Sequence, residues 1–185
     1  MEEAELQAES VLAEIPEWIW NGERLPVPVD TIADSCFGLL IREVDDMGSA
    51  PGAPELREGQ SLSGLLLAGP GEIWVNAEEA RQWPGRRRFT IGHELGHWVM
   101  HRAPGQQSLF CRHAEVDEEE DDSEHDRASE IEREANAFAA AFTMPAHLIR
   151  EHYERWRHEP DCHARLCKLF NSSGAAMGHR LHAVI

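Results

Sequence analysis

Apolar residues fall at helical spacing in two long stretches of this chain. In the first, Phe89, Ile91, Leu95, Trp98 and Val99 predict a helix that starts after Pro84-Gly85 and closes at His101-Arg102-Ala103-Pro104-Gly105. In the second, Ile131, Ala135, Phe138, Ala139 and Phe142 predict a helix over Ala128 to Thr143, which Met144-Pro145 terminates. Shorter patterns surround these two. Residues 1–14 suggest a short acidic helix through Leu6, Val11 and Leu12, or a frayed end, and Asp30 is placed to cap a helix carrying Ile32, Ala33, Cys36 and Phe37. The run Leu39 to Val44 reads as a strand. Leu62–Leu67 and Glu72–Asn76, either side of Ala68-Gly69-Pro70-Gly71, read as a hairpin. Glu78 to Trp83 predicts one or two helical turns, and Asp45 to Gln60 a loop. Pro145 to Trp156 predicts an amphipathic helix through Leu148, Ile149, Tyr153 and Trp156. The end of the chain, Ala164–Phe170 and then Ala175–Val184, has the rhythm of a helix-turn-helix. The expected fold is α+β: several helices packed against a small mixed or antiparallel sheet.

Composition narrows the function. With 17 Lys and Arg against 34 Asp and Glu in 185 residues, the formal net charge is −17. Such a surface repels phosphate backbones, so direct nucleic-acid binding is not expected, even though Arg165, Lys168 and Arg180 lie in the C-terminal helices. Arg86-Arg87-Arg88 is better read as positioning residues or partners for carboxylates. From Glu115 to Asp126 nine residues are acidic, a pattern of a solvated loop without the glycine register of a calcium-binding hand. Cys36, Cys111, Cys162 and Cys167 include no CxxC spacing, which fits reduced thiols. The first fourteen residues have neither the positive nor the apolar region of a secretion signal, and no apolar run approaches membrane-spanning length. A cytoplasmic protein is expected.

The chemistry lies in His93-Glu94-Leu95-Gly96-His97. On a helix, a four-residue separation puts both imidazoles on one face, within reach of one metal ion. Glu94 sits beside them, placed to take a proton from a metal-bound water rather than to ligate. This HExxH arrangement matches zinc and peptide hydrolysis. His101 is four residues further on, but each such step drifts by about 40°, so a third ligand on the same straight helix does not converge with the other two. The third ligand is expected from the second predicted helix, where Glu132 and Asn136 share a face. Glu132 would complete the set and leave the fourth position to water, while Asn136, one turn on, would orient an imidazole. Glu130 and Glu134 are rivals, Glu134 the more serious, because helix phase is not fixed by sequence.

Taken together, the blocks Arg88-Phe89-Thr90-Ile91-Gly92-His93-Glu94-Leu95-Gly96-His97 and Ile131-Glu132-Arg133-Glu134-Ala135-Asn136-Ala137-Phe138-Ala139-Ala140, followed by Met144-Pro145, resemble the ImmA/IrrE family of metallopeptidases. The tail Leu166 to Ser173, with Ala176-Met177 and Arg180-Leu181, is similar to that family's downstream element, so the resemblance covers roughly residues 62–183. Gly92 stands where the family commonly has Ala, and the acidic run 115–126 lies between the two ligand helices. The resemblance implies a zincin-like core and Zn2+ held by His93, His97 and Glu132, with Glu94 as general base. It also implies a helix-turn-helix transcriptional repressor as the protein substrate, whose cleavage relieves repression of mobile-element or stress-response genes.

The expected organisation is a metallopeptidase domain over residues 1–160 and a helical element over 161–185 packed on it. The oxyanion donor is open between Tyr153 and His152. A regulatory protein that sequesters a repressor or toxin without cleaving it is the alternative.

Overall fold

A computed structural model describes residues 2–51, 53, 61–102, 109–114 and 124–185, with backbone alone for 109–114 and 124–128. Eight α-helices and four strands are formed by these residues: α1 (Glu2–Glu14), α2 (Val29–Phe37), β1 (Leu40–Val44), β2 (Ser61–Leu67), β3 (Glu72–Asn76), α3 (Ala77–Gln82), α4 (Pro84–Gly96), β4 (Leu109–Ala114), α5 (Glu124–Thr143), α6 (Ala146–Trp156), α7 (Cys162–Phe170) and α8 (Gly174–Val184). The fold is α+β, as expected. A 3-10 turn, Met47–Ser49, interrupts the expected loop at 45–60, of which residue 52 and residues 54–60 lie outside the described set.

The sheet is mixed, in the order β1-β3-β2-β4. β2 and β3 form the expected antiparallel hairpin, closed by Gly71 at φ +72°, and β1 runs parallel to β3. β4 was not anticipated from sequence; it pairs antiparallel with β2 and forms one edge. β2 is covered on both faces. Leu66 joins the main core, while Leu62, Leu65 and Leu67 pack with Met47 and Ala50. A two-sided strand explains why its sequence is a continuous apolar run rather than an alternation.

α4 is the central layer. Ile91 and Leu95 are fully buried, with sheet on one side and α5 on the other. Small residues set the distance to α5. A Cβ at Gly92 would meet Thr143 Cγ2 at 3.3 Å, and one at Gly96 would meet Phe138 Cδ1 at 3.2 Å and Ala135 Cα at 3.3 Å. Ala135 and Ala139 supply the facing surface, so the two backbones approach closely along a seam one side chain wide.

Two expected details differ. α1 buries Ala4, Ala8 and Leu12 against the core and leaves Leu6 60% exposed. Positions 4, 8 and 12 form one i, i+4 line whose small side chains let α1 lie close on α5, and Leu6 is off that line. α2 begins at Val29 after Pro28 with no side-chain cap. Asp30 lies inside the first turn instead, where it favours the positive end of the helix dipole and pairs with Arg87 Nη1 at 2.7 Å. The remaining arginines of that cluster are also engaged: Arg86 with Glu79 at 2.9 Å, Arg87 with Glu43 at 2.8 Å, and Arg88 donating to the Val27 carbonyl at 2.7 Å.

The C-terminal helices complete the core through Leu166, Phe170, Met177 and Val184. α7 ends at Asn171 in the left-handed region, φ +50°, and Ser173 caps α8 by accepting from the Ala176 amide at 3.1 Å. Arg180 is buried rather than presented outward: both of its Nη atoms reach Glu5 of α1, at 2.6 and 3.0 Å, and Nε donates to the Met144 carbonyl at 2.9 Å. Among the described residues no helix is long and apolar enough to cross a membrane.

Candidate metal centre

The centre is built where α4 and α5 cross. Pro84 opens α4 at a position where its missing N–H costs nothing, and the helix then carries His93, Glu94 and His97 into the interior, all fully buried. From α5, whose Glu132 remains 38% exposed, a carboxylate reaches across the seam. The two imidazole Nε2 atoms are 3.0 Å apart. Glu132 Oε2 is 3.2 Å from His93 Nε2, and Oε1 is 3.2 Å from His97 Nε2. These three residues form a group of potential metal ligands with all donor atoms within 4.8 Å of one another. Of the rivals on α5, Glu130 is exposed, and Glu134 points at His101 instead, with Oε2 3.0 Å from His101 Nε2.

The hydrogen bonds behind the imidazoles fix their tautomers. His93 Nδ1 donates to Asn136 Oδ1 at 3.1 Å, the role its one-turn spacing from Glu132 suggests. His93 Nε2 therefore carries a lone pair. His97 Nδ1 is 3.0 Å from His101 Nδ1, and His101 Nε2 donates to the Glu134 carboxylate. A neutral His101 that donates to Glu134 must accept from His97, so His97 Nε2 also carries a lone pair. Burial pushes His101 below the ordinary histidine value, opposed by its hydrogen bond to Glu134.

Two lone pairs and a carboxylate thus face each other at 3.0–3.2 Å. Ligands held at 2.0–2.1 Å around a tetrahedral ion sit about 3.3 Å from one another. The triangle is slightly tighter than that, and its donor set of two imidazoles and one carboxylate suits a borderline divalent ion.

Glu94 packs under the sheet. A Cβ on Gly64 of β2 would stand 2.6 Å from Glu94 Oε1 and 2.4 Å from Thr90 Cγ2. The β2–β4 register shifts between Leu62 and Gly64, a bulge at Ser63 beside this contact. Sequence reasoning missed Gly64; the available signal was a lone glycine inside an apolar strand run, which marks a bulge or a close backbone approach. It also gave His101 no part in the site. After Gly96 the chain passes into a π-helical turn, His97–His101, in which the His101 and His97 ring centroids lie 5.1 Å apart.

A cavity of about 900 Å³ opens beside the centre. Asn136 is in its wall together with Trp83, Phe89, Met144, Phe170 and His179. Neither oxyanion candidate lines it. His152 stacks on Trp156 with ring centroids 5.3 Å apart and meets Phe170 edge-on, and Tyr153 is half-buried against the core. Of the cysteines whose side chains are described, Cys36, Cys162 and Cys167 are free. Residues 115–123 of the acidic run are outside the described set, and Glu124, His125 and Asp126 begin α5.

Residues 68–182 match a protein-family model, Peptidase_M78, described as the IrrE N-terminal-like domain. The matched span contains His93, Glu94, His97 and Glu132, and runs through α8. No curated protein matches the chain.

Proposed function

Because the chain belongs to the IrrE N-terminal-like family of peptidases, we propose that it is a zinc-dependent endopeptidase whose substrate is a helix-turn-helix transcriptional repressor. The observation that carries the enzyme reading is the convergence of His93 Nε2, His97 Nε2 and the Glu132 carboxylate at 3.0–3.2 Å from one another, in a group able to hold a metal ion. With both Nε2 atoms and the carboxylate deprotonated, groups at that separation repel unless a cation lies among them. Zinc is the ion this donor set suits, and the three residues would hold it. When bound, it supplies Lewis acidity, polarising the scissile carbonyl and lowering the pKa of water towards about 7.

The chain's own residues do the rest. Glu94 lies between the two histidines in sequence, and its carboxylate packs under Gly64. Its carboxylate takes the proton of the attacking water and returns it to the departing amine. Asn136 holds the His93 ring in a fixed orientation. The cavity beside Asn136 is large enough for several side chains of an extended peptide, and its wall combines aromatic and aliphatic residues such as Trp83, Phe89 and Met144 with polar ones such as Arg86, Asn136 and Asn171.

The repressor substrate rests on the resemblance of the two motif blocks and of the downstream element, and relief of mobile-element or stress-response genes follows from it. The test is to incubate the protein with zinc and any helix-turn-helix protein found encoded beside it, and to resolve fragments by mass spectrometry. Glu94→Gln should retain zinc and lose about 10²- to 10⁴-fold in cleavage rate, the usual contribution of a general base. Full cleavage by that variant would refute the mechanism. Repressor binding with no cleavage by the zinc-loaded native protein would instead identify a sequestering regulator.

A further inference from the structure

We propose that His101 and Glu134 are positioning residues: a hydrogen-bonded chain, Glu134–His101–His97, that selects the tautomer and ring orientation in which His97 presents Nε2 to the metal. This rests on the reading of the centre as a metal site.

Ligation through His97 Nε2 fixes the direction of the chain, because a neutral imidazole that ligates through Nε2 carries its proton on Nδ1. Glu134 Oε2 is 3.0 Å from His101 Nε2, and a carboxylate accepts, so the proton of a neutral His101 is on Nε2. Its Nδ1 is then an acceptor, 3.0 Å from His97 Nδ1, which must be the donor. A neutral His97 protonated on Nδ1 has its lone pair on Nε2, the atom 3.0 Å from His93 Nε2 and 3.2 Å from Glu132 Oε1. Reversing the bond between the imidazoles would set a lone pair of His101 against the Glu134 carboxylate. The charge at the far end of the chain thus selects the nitrogen through which His97 would ligate.

The backbone is shaped for this contact. In a regular α-helix, residues four apart drift by about 40° around the axis. Residues His97–His101 instead form a π-helical turn, and the two ring centroids come to 5.1 Å. Such turns are uncommon and are found mostly at functional sites. His101 is not a ligand in waiting, because both of its ring nitrogens are engaged within the chain. The two ligand histidines are also held unequally. His93 leans on the neutral amide of Asn136, whereas His97 is backed, through His101, by a carboxylate, which raises ligand basicity.

Zinc affinity, measured by competition with a chromogenic chelator, tests the proposal without an activity assay. His101→Ala and Glu134→Ala should each weaken zinc binding by about 10- to 100-fold. The double variant should be no weaker than His101→Ala alone, since both act through one chain. His101→Gln, which retains an acceptor for His97 Nδ1, should recover part of the loss. Nitrogen-15 spectra of the metal-free protein give a second readout: His97 should be protonated on Nδ1 in the native chain and should divide between tautomers in His101→Ala. If His101→Ala folds as the native chain does and binds zinc within twofold of it, the proposal is wrong. Should the native protein bind no zinc, the metal-site reading fails, and the tautomer spectra still decide whether the chain sets His97. Should His101→Ala fail to fold, Glu134→Gln carries the same comparison.

Discussion

Two buried polar clusters stabilise this molecule in opposite ways. At the clamp between the chain ends, Arg180 meets Glu5 and the Met144 carbonyl, so each guanidinium nitrogen faces an acceptor at 2.6–3.0 Å. Donor and acceptor match, and the cluster is complete with the chain's own atoms. At the crossing of α4 and α5, His93, His97 and Glu132 approach to 3.0–3.2 Å with acceptor facing acceptor. Similar distances therefore have opposite signs of interaction. The clamp ties α1 to α8 and to the end of α5; the centre is held together by the packing around it. A polar cluster that is self-complementary reads as structure, and one that is complete only with a guest reads as a site.

Metal addition gives the largest contrast. Zinc at a thousand times its dissociation constant should raise the native protein's stability by about 4 kcal/mol. Arg180→Met should keep that increment, and Glu132→Ala should lose most of it. Thermal melting with zinc and with chelator measures all three, and an increment that survives in Glu132→Ala would erase the distinction between the clusters.

The clamp should break without reference to metal. Arg180→Met leaves Glu5 facing an apolar surface and the Met144 carbonyl without its donor, at a cost of about 3 kcal/mol with or without zinc. Adding Glu5→Gln should cost less than the two single effects summed, because the pair is coupled. Urea titration gives these values; strict additivity would mean that the contacts do not act as a unit.

Gly64 probes the centre from the sheet side. Gly64→Ala pushes on Glu94 and Thr90, both side-chain contacts, so the strand accommodates it and the carboxylate moves. A displacement on the order of 1 Å should lower the cleavage rate about 10²-fold, equivalent to about 2.7 kcal/mol, and leave zinc affinity unchanged. Equal losses of zinc binding and rate would mean that Gly64 supports the ligands rather than the base.

The difference between the clusters also explains what sequence could reveal. His93, His97, Glu94 and the pair Glu132–Asn136 were legible because each spacing is a helical one, and a helix converts separation into direction. Glu5 and Arg180 were not, since nothing local links residues 175 positions apart. Arg180 consequently looked like one more exposed cation. His101 was misjudged because the expected straight helix gives way to a π turn, which sequence periodicity does not signal. β4 escaped notice because the edge strand shows itself only through its pairing with β2. The Leu62–Leu67 run, in contrast, was readable as a strand, but its bulge beside Gly64 exists only in register with β4.

Acidification should produce the smallest effect, and it acts on the clamp. The hydrogen bond from Arg180 is the main cause that holds the Glu5 carboxyl below its ordinary value of 4.5, partly opposed by burial. A carboxylate depressed in the folded state contributes stability above its unfolded pKa and loses it as pH falls through the folded one. The Glu5 contribution should therefore be full at neutral pH and should decline below about pH 4.5. Many carboxylates titrate there, so the informative quantity is the stability of the native chain minus that of Glu5→Gln, measured with chelator present. That difference should shrink on descent from pH 5 to pH 3 and should be flat in an Arg180→Met background. A difference that grows towards acid would mean that Glu5 is ionised at a cost, and the clamp would then belong with the centre as a cluster held by its surroundings.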